Sequence, residues 1–167
     1  VWANPNEPNM VFDQWVGNTA LVEDVYSAST LVNPLSKNID LTATYKAAPI
    51  WSLTEETVSG VDVLYYIPQN PVGVIFRLHG SGGSAQSTLT SIESRLFSND
   101  AVAAGYGIIA LDSVDRISGD WSLAPQANNP DISNIQAIIA NLQQRGLLSA
   151  NTPLLAQGTS RGGIFSS

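Results

Sequence analysis

Residues 153–163 read PLLAQGTSRGG, and the architecture of the chain follows from them. Leu154, Leu155 and Ala156 are an apolar run of strand length. The run enters Gly158-Thr159-Ser160-Arg161-Gly162, and the residues beyond begin a helical segment. A serine at a sharp strand-to-helix turn is pushed up and out above the sheet. The turn is so tight that bulky neighbours would clash, which accounts for Gly158 and Gly162. Ser160 is therefore the candidate nucleophile, although a hydroxyl becomes one only when a base takes its proton.

Working upstream, the periods alternate between strand and helix. Residues 131–145 predict a helix, with Ile132, Ile135, Ile138, Ile139 and Leu142 in one apolar stripe. Asp131 is the expected N-cap, and Gly146 fits the position just past the end. "GIIALDS", from Gly107, and "VGVIFRLHG", through Val74, Ile75 and Phe76, read as buried strands. Leu89, Ile92, Leu96 and Phe97 recur at helical spacing between them. "TEETVSGVDVLYYIP" reads as two strands around a Ser59-Gly60 turn. The order β-β-β-α-β-α-β uses helices as crossovers, so the expected fold class is α/β, a mainly parallel sheet with helices on both faces.

The first 46 residues differ in character. "IDLTATY" alternates Ile39, Leu41, Ala43 and Tyr45 with polar residues, the mark of a half-buried strand. Asn/Pro-rich stretches at 4–10 and 32–38 read as loops, and no helical period is present. Charge divides along the same line. Residues 1–62 hold eight acidic and two basic residues, whereas residues 63–167 hold six and five. The expected organisation is a small all-β module over 1–46, a connector over 47–52, and an α/β domain over 53–167. Trp15 and Phe12 read as core of the small module, with a ligand-binding face through Trp15 or Trp2 as the alternative. Glu23 and Asp24 read as a solvated loop rather than calcium ligands.

Composition narrows the chemistry. The chain has no cysteine, which excludes thiolate zinc sites and Cys nucleophiles. A net charge of −7 argues against nucleic acid as a partner. No apolar run reaches the length of a membrane span, so no membrane insertion is expected. The loop His79-Gly80-Ser81-Gly82-Gly83 has no lysine after its glycines, as a phosphate-cradling loop would need, and its glycine spacing does not suit a dinucleotide. No cofactor and no metal are expected. The loop instead suits the second half of an oxyanion site. The backbone N–H of Arg161 supplies one donor and that of Ser81 the other, with Gly82 as the alternative.

Two resemblances rest on these residues. "VWANPNEPNMVFDQWVGNTALVEDVYSASTLVNPLSKNIDLTATYK" resembles a divergent internalin-type B-repeat, through Phe12, Asp13, Trp15, Gly17 and Leu41 to Lys46, with the repeat's opening strand missing. Residues 53–167 resemble the first half of an α/β-hydrolase domain, through "EETVSGVDVLYYIP", "LHGSGG", "GIIALDS", "GDW" and "GTSRGG". The nearest branch is the secreted esterases that include polyhydroxybutyrate depolymerases and feruloyl esterases.

The hydrolase resemblance implies Ser160 as nucleophile, with an acid and a histidine further along, beyond Ser167. The nucleophile strand is then expected to lie centrally in a completed sheet. The chain accordingly reads as a fragment at both ends, whose partner is the remainder of the hydrolase domain. His79 is expected to shape the oxyanion loop together with Gly80, Asp112 to brace a loop or cap a helix, and Asp120 and Trp121 to line the substrate entrance. Arg161 is expected to form a surface salt bridge through its side chain. The implied function is a secreted or cell-surface serine hydrolase acting on a small or polymeric carboxylic ester. The fragment itself is expected to be nearly inactive. The alternatives are a prolyl-oligopeptidase-type peptidase and a catalytically dead surface-binding or adhesion protein.

Overall fold

The computed structural model describes residues 1–3, 9–33 and 38–167. Residues 4–8 and 34–37, within the two stretches expected as Asn/Pro loops, lie outside the described residues. The chain divides into two compact units, Val1–Pro49 and Ile50–Ser167.

In the first unit, β1 (Met10–Gly17) pairs antiparallel with β2 (Leu41–Ala47). The register shifts between Phe12 and Gln14, which leaves Asp13 as the extra residue of a bulge. Trp15 is buried, and its indole N–H donates to the Ser27 carbonyl at 2.9 Å. Phe12 packs against both Trp15 and Tyr45. These contacts make Trp15 a core residue, whereas Trp2 is 73% exposed. Asp24 Oδ1 accepts the Tyr26 N–H and so closes a local turn.

The second unit is an α/β fold around a mixed five-stranded sheet. β3 (Thr54–Val58) and β4 (Val61–Tyr66) form a hairpin, followed by β5 (Val74–Leu78), β6 (Gly107–Leu111) and β7 (Leu154–Gly158). The spatial order is β3-β4-β6-β5-β7. β6 and β7 flank β5 on either side, both parallel to it. β4 runs antiparallel to β3 and β6, so four strands point one way and β4 alone runs against them. Ser59 and Gly60 both take positive φ, as a two-residue hairpin turn requires.

Alternation along each strand fills two cores, one on each face of the sheet. Val63, Tyr65, Val74, Phe76, Leu78, Ile109 and Leu111 meet Ile138 and Leu142 of α3 (Pro130–Gln144). Leu64, Ile108 and Ala110 meet α1 (Ala85–Thr90) and α2 (Ile92–Ala103) on the opposite face. On that second face Arg77 is buried, with hydrogen bonds to the hydroxyls of Ser94 and Ser98, and lies 4.3 Å over the Phe97 ring. Burial pushes its guanidinium below its ordinary pKa.

Three local expectations need correction. The helical spacing from Leu89 to Phe97 is two helices, because Ser91 is extended and its hydroxyl caps Ser94. The N-cap of α3 is Asn129, whose side chain accepts the N–H groups of Asp131 and Ile132, with Pro130 beginning the helix. The nucleophile strand β7 is expected to lie centrally, yet it is at the edge of this sheet and Leu154 and Leu155 are 45% and 46% exposed. As the edge strand it pairs, among the described residues, with β5 alone.

Candidate active site

The carboxyl ends of β5, β6 and β7 emerge side by side, and a loop from each builds the site. This is the edge of an open α/β sheet where ligands bind. After β7 the chain reaches Ser160 and turns directly into α4 (Arg161–Phe165). Ser160 is exposed and holds φ 52, ψ −115, a conformation that costs a non-glycine residue on the order of 1–3 kcal/mol. Close packing of backbone enforces it. A Cβ on Gly158 would overlap the carbonyl group of Gly162, and one on Gly162 would overlap the carbonyls of Leu78 and His79. The Thr159 N–H donates to the Leu78 carbonyl at 3.1 Å, which ties the turn to the end of β5.

The loop after β5 stands against this turn. A Cβ built on Gly80 would lie 3.6 Å from the Ser160 Cβ, so the glycine backbone and the serine face each other at contact distance. Ser81 is exposed, and among the described residues neither its N–H nor that of Arg161 meets a protein acceptor. The Gly82 N–H is already bonded to the Gly119 carbonyl at 3.1 Å. Of the two N–H groups expected as oxyanion donors in this loop, Gly82's thus has a protein acceptor and Ser81's has none among the described residues.

His79 is 2% exposed, and both ring nitrogens are engaged. Nε2 accepts the Ser113 N–H at 3.1 Å, so the ring proton belongs on Nδ1, which lies 2.8 Å from the Gly80 carbonyl. In this tautomer His79 has no free lone pair with which to accept a proton from Ser160. It is the only histidine of the chain.

The loop after β6, residues 113–122, supports both neighbours. Trp121 is fully buried, stacked on Phe165 and tilted against His79, with its indole N–H on the His79 carbonyl at 2.8 Å. The ring packs two of the three loops together, and the residue borders the same open hollow as Asp120, its expected partner at a substrate entrance. Asp120 is half-buried, with one carboxylate oxygen lacking a partner among the described residues. It borders an open hollow of about 460 Å³ together with Asp115, Ser118, Asp131 and Arg161. The Ser118 hydroxyl and the N–H groups of Ser118 and Ile117 hold the Asp115 carboxyl below its usual range. The Arg161 side chain makes no salt bridge among the described residues; its Nε donates to the Trp121 carbonyl at 3.1 Å. Asp112 spans a gap that sequence spacing does not reveal. One oxygen accepts the first N–H of α1, from Ala85, at 2.7 Å, and the other meets Arg116 at 2.7 Å.

No family model and no curated protein matches the chain. Among solved structures it is similar to an acetyl xylan esterase from Aspergillus awamori, at 23% identity and a TM-score of 0.49. That likeness covers 67% of this chain and 44% of the esterase chain, so the chain spans less than half the length of that structure. It is a likeness of backbone path and carries no residue roles across. No helix among the described residues is long and apolar enough to cross a membrane.

Proposed function

We propose that the α/β unit carries the nucleophile and oxyanion-binding half of a secreted serine esterase. The observation that carries this reading is the meeting of an exposed, strained Ser160 with the glycine backbone of the loop after β5. The Ser81 and Arg161 N–H groups, which have no protein acceptor among the described residues, would then be the donors to a ligand oxygen. Ser160 Oγ would attack the ester carbonyl, and the carbonyl oxygen would take negative charge between those two donors. Collapse then breaks the bond to the alkoxy oxygen. The alcohol leaves with the seryl proton, and water later releases the acyl group as an acid. Preorganised donors of this kind are worth roughly 3–4 kcal/mol each in the transition state.

The proton needs a base, and His79 is engaged at both nitrogens. On the hydrolase resemblance, an acid and a second histidine would complete the site. The residues described would then bind and polarise an ester without turning it over efficiently. The secreted-esterase branch, and the B-repeat reading of residues 1–46, belong to the same proposal.

The test is covalent labelling with a fluorophosphonate probe in the intact protein, followed by peptide mapping. Label at Ser160, lost in Ser160→Ala, is the expected result. An intact protein that acquires label elsewhere, or none, defeats the reading.

A further inference from the structure

The loop of residues 113–122 contacts both halves of the candidate site, and one buried side chain grips it at both ends. Asp131, in the first turn of α3, is 2% exposed. Its Oδ1 accepts the Val114 N–H and its Oδ2 the Ser122 N–H, each at 2.7 Å. Both bonds are short for an N–H donor, as expected for a charged acceptor. Asn129, two residues earlier at the N-cap, holds the Ser122 and Ala124 carbonyls through its amide. The helix end is thus a clamp on the loop.

The clamped loop reaches the site at four points. The Ser113 N–H sets the His79 tautomer, and the Trp121 indole holds the His79 carbonyl. The Trp121 carbonyl receives Arg161 Nε. The Gly119 carbonyl holds the Gly82 N–H, beside Ser81. Gly119 has φ +64, and a Cβ there would lie 2.9 Å from Gly82 Cα. The two backbones touch where no side chain fits.

We infer that Asp131 and Gly119 are positioning residues for the oxyanion donors. Asp131 fixes the loop, and Gly119 carries that fixation to Gly82 and so sets the direction of the Ser81 N–H. This inference rests on the esterase reading, and its test separates the two. In Asp131→Asn the amide NH₂ must face one of two N–H donors, so one end of the loop is released. In Gly119→Ala the new methyl presses on Gly82. Gly146→Ala is the control, because Gly146 also has positive φ, +73, but open space around it.

With a small chromogenic ester and the intact protein, Asp131→Asn and Gly119→Ala are each expected to lower kcat about 10–100-fold with KM nearly unchanged, the signature of a lost transition-state contact. Gly146→Ala should keep kcat. A folded Gly119→Ala or Asp131→Asn protein with wild-type kcat overturns the inference. Amide hydrogen exchange at Gly82 reads the same coupling without turnover. It should speed up at least about tenfold in Asp131→Asn, and unchanged exchange overturns the inference even in an active esterase. Faster exchange in a protein that never labels at Ser160 supports the clamp and counts against the esterase reading alone.

Discussion

β6 and β7 are five-residue apolar strands, each parallel to β5 and on opposite sides of it. Their surroundings differ. Ile108, Ile109, Ala110 and Leu111 have no exposure, whereas Leu154 and Leu155 are nearly half exposed. β6 has hydrogen-bonded neighbours on both edges and a core on each face. β7 has β5 on one edge and borders an apolar groove lined by Ile132, Ile135, Ile139 and Phe165. An apolar run therefore states what a strand could bury, and its place in the sheet decides what it does bury. The strand ends differ too. β6 runs into Asp112 and Ser113, which brace other elements. β7 runs into the strained, exposed Ser160.

Three substitutions would break or sharpen this contrast. Ile109→Ala, in the closed strand, should cost about 3 kcal/mol, read as a lower urea midpoint at unchanged slope. A loss below about 1 kcal/mol would mean that β6 is far less tightly packed than its neighbours require. Ser160→Gly should raise stability by about 1 kcal/mol, because glycine takes positive φ without strain. A fall in melting temperature would show that the turn is held by the serine rather than by the backbone around it. Leu155→Ala, in the open strand, should cost only about 0.5–1 kcal/mol. A cost equal to that at Ile109 would erase the distinction between the two strands.

The sequence was legible where structure is local. Period-two alternation marked β2, the isoleucine stripe marked α3, and the glycine turn marked the break between β7 and α4. It was less legible where a side chain bonds far along the chain. Asp131 stands one residue after Pro130 and looks like a cap, yet its partners lie 17 and 9 residues away. Trp121 follows a polar Gly-Asp pair, and only the packing of His79 and Phe165 around it buries the ring. The glycines of the loop after β5 were visible, but which of their N–H groups remained open depended on Gly119, 37 residues on from Gly82 in sequence. Ser91 could have been anticipated to break the helix, since a serine three residues ahead of a second serine offers its own cap.

The meeting of Gly158, Gly162 and the carbonyls of Leu78 and His79 has a consequence for how such a protein can vary. The location of the Ser160 hydroxyl is dictated by three stretches of main chain in mutual contact, with no side-chain atoms between them. Side chains such as those of Asp120, Ser118 or Ser122 around the neighbouring hollow can then be exchanged, and its size and polarity altered, while the backbone that carries Ser160 stays in register. On the proposed esterase reading, the lining of the hollow could therefore drift while the place of the serine is kept.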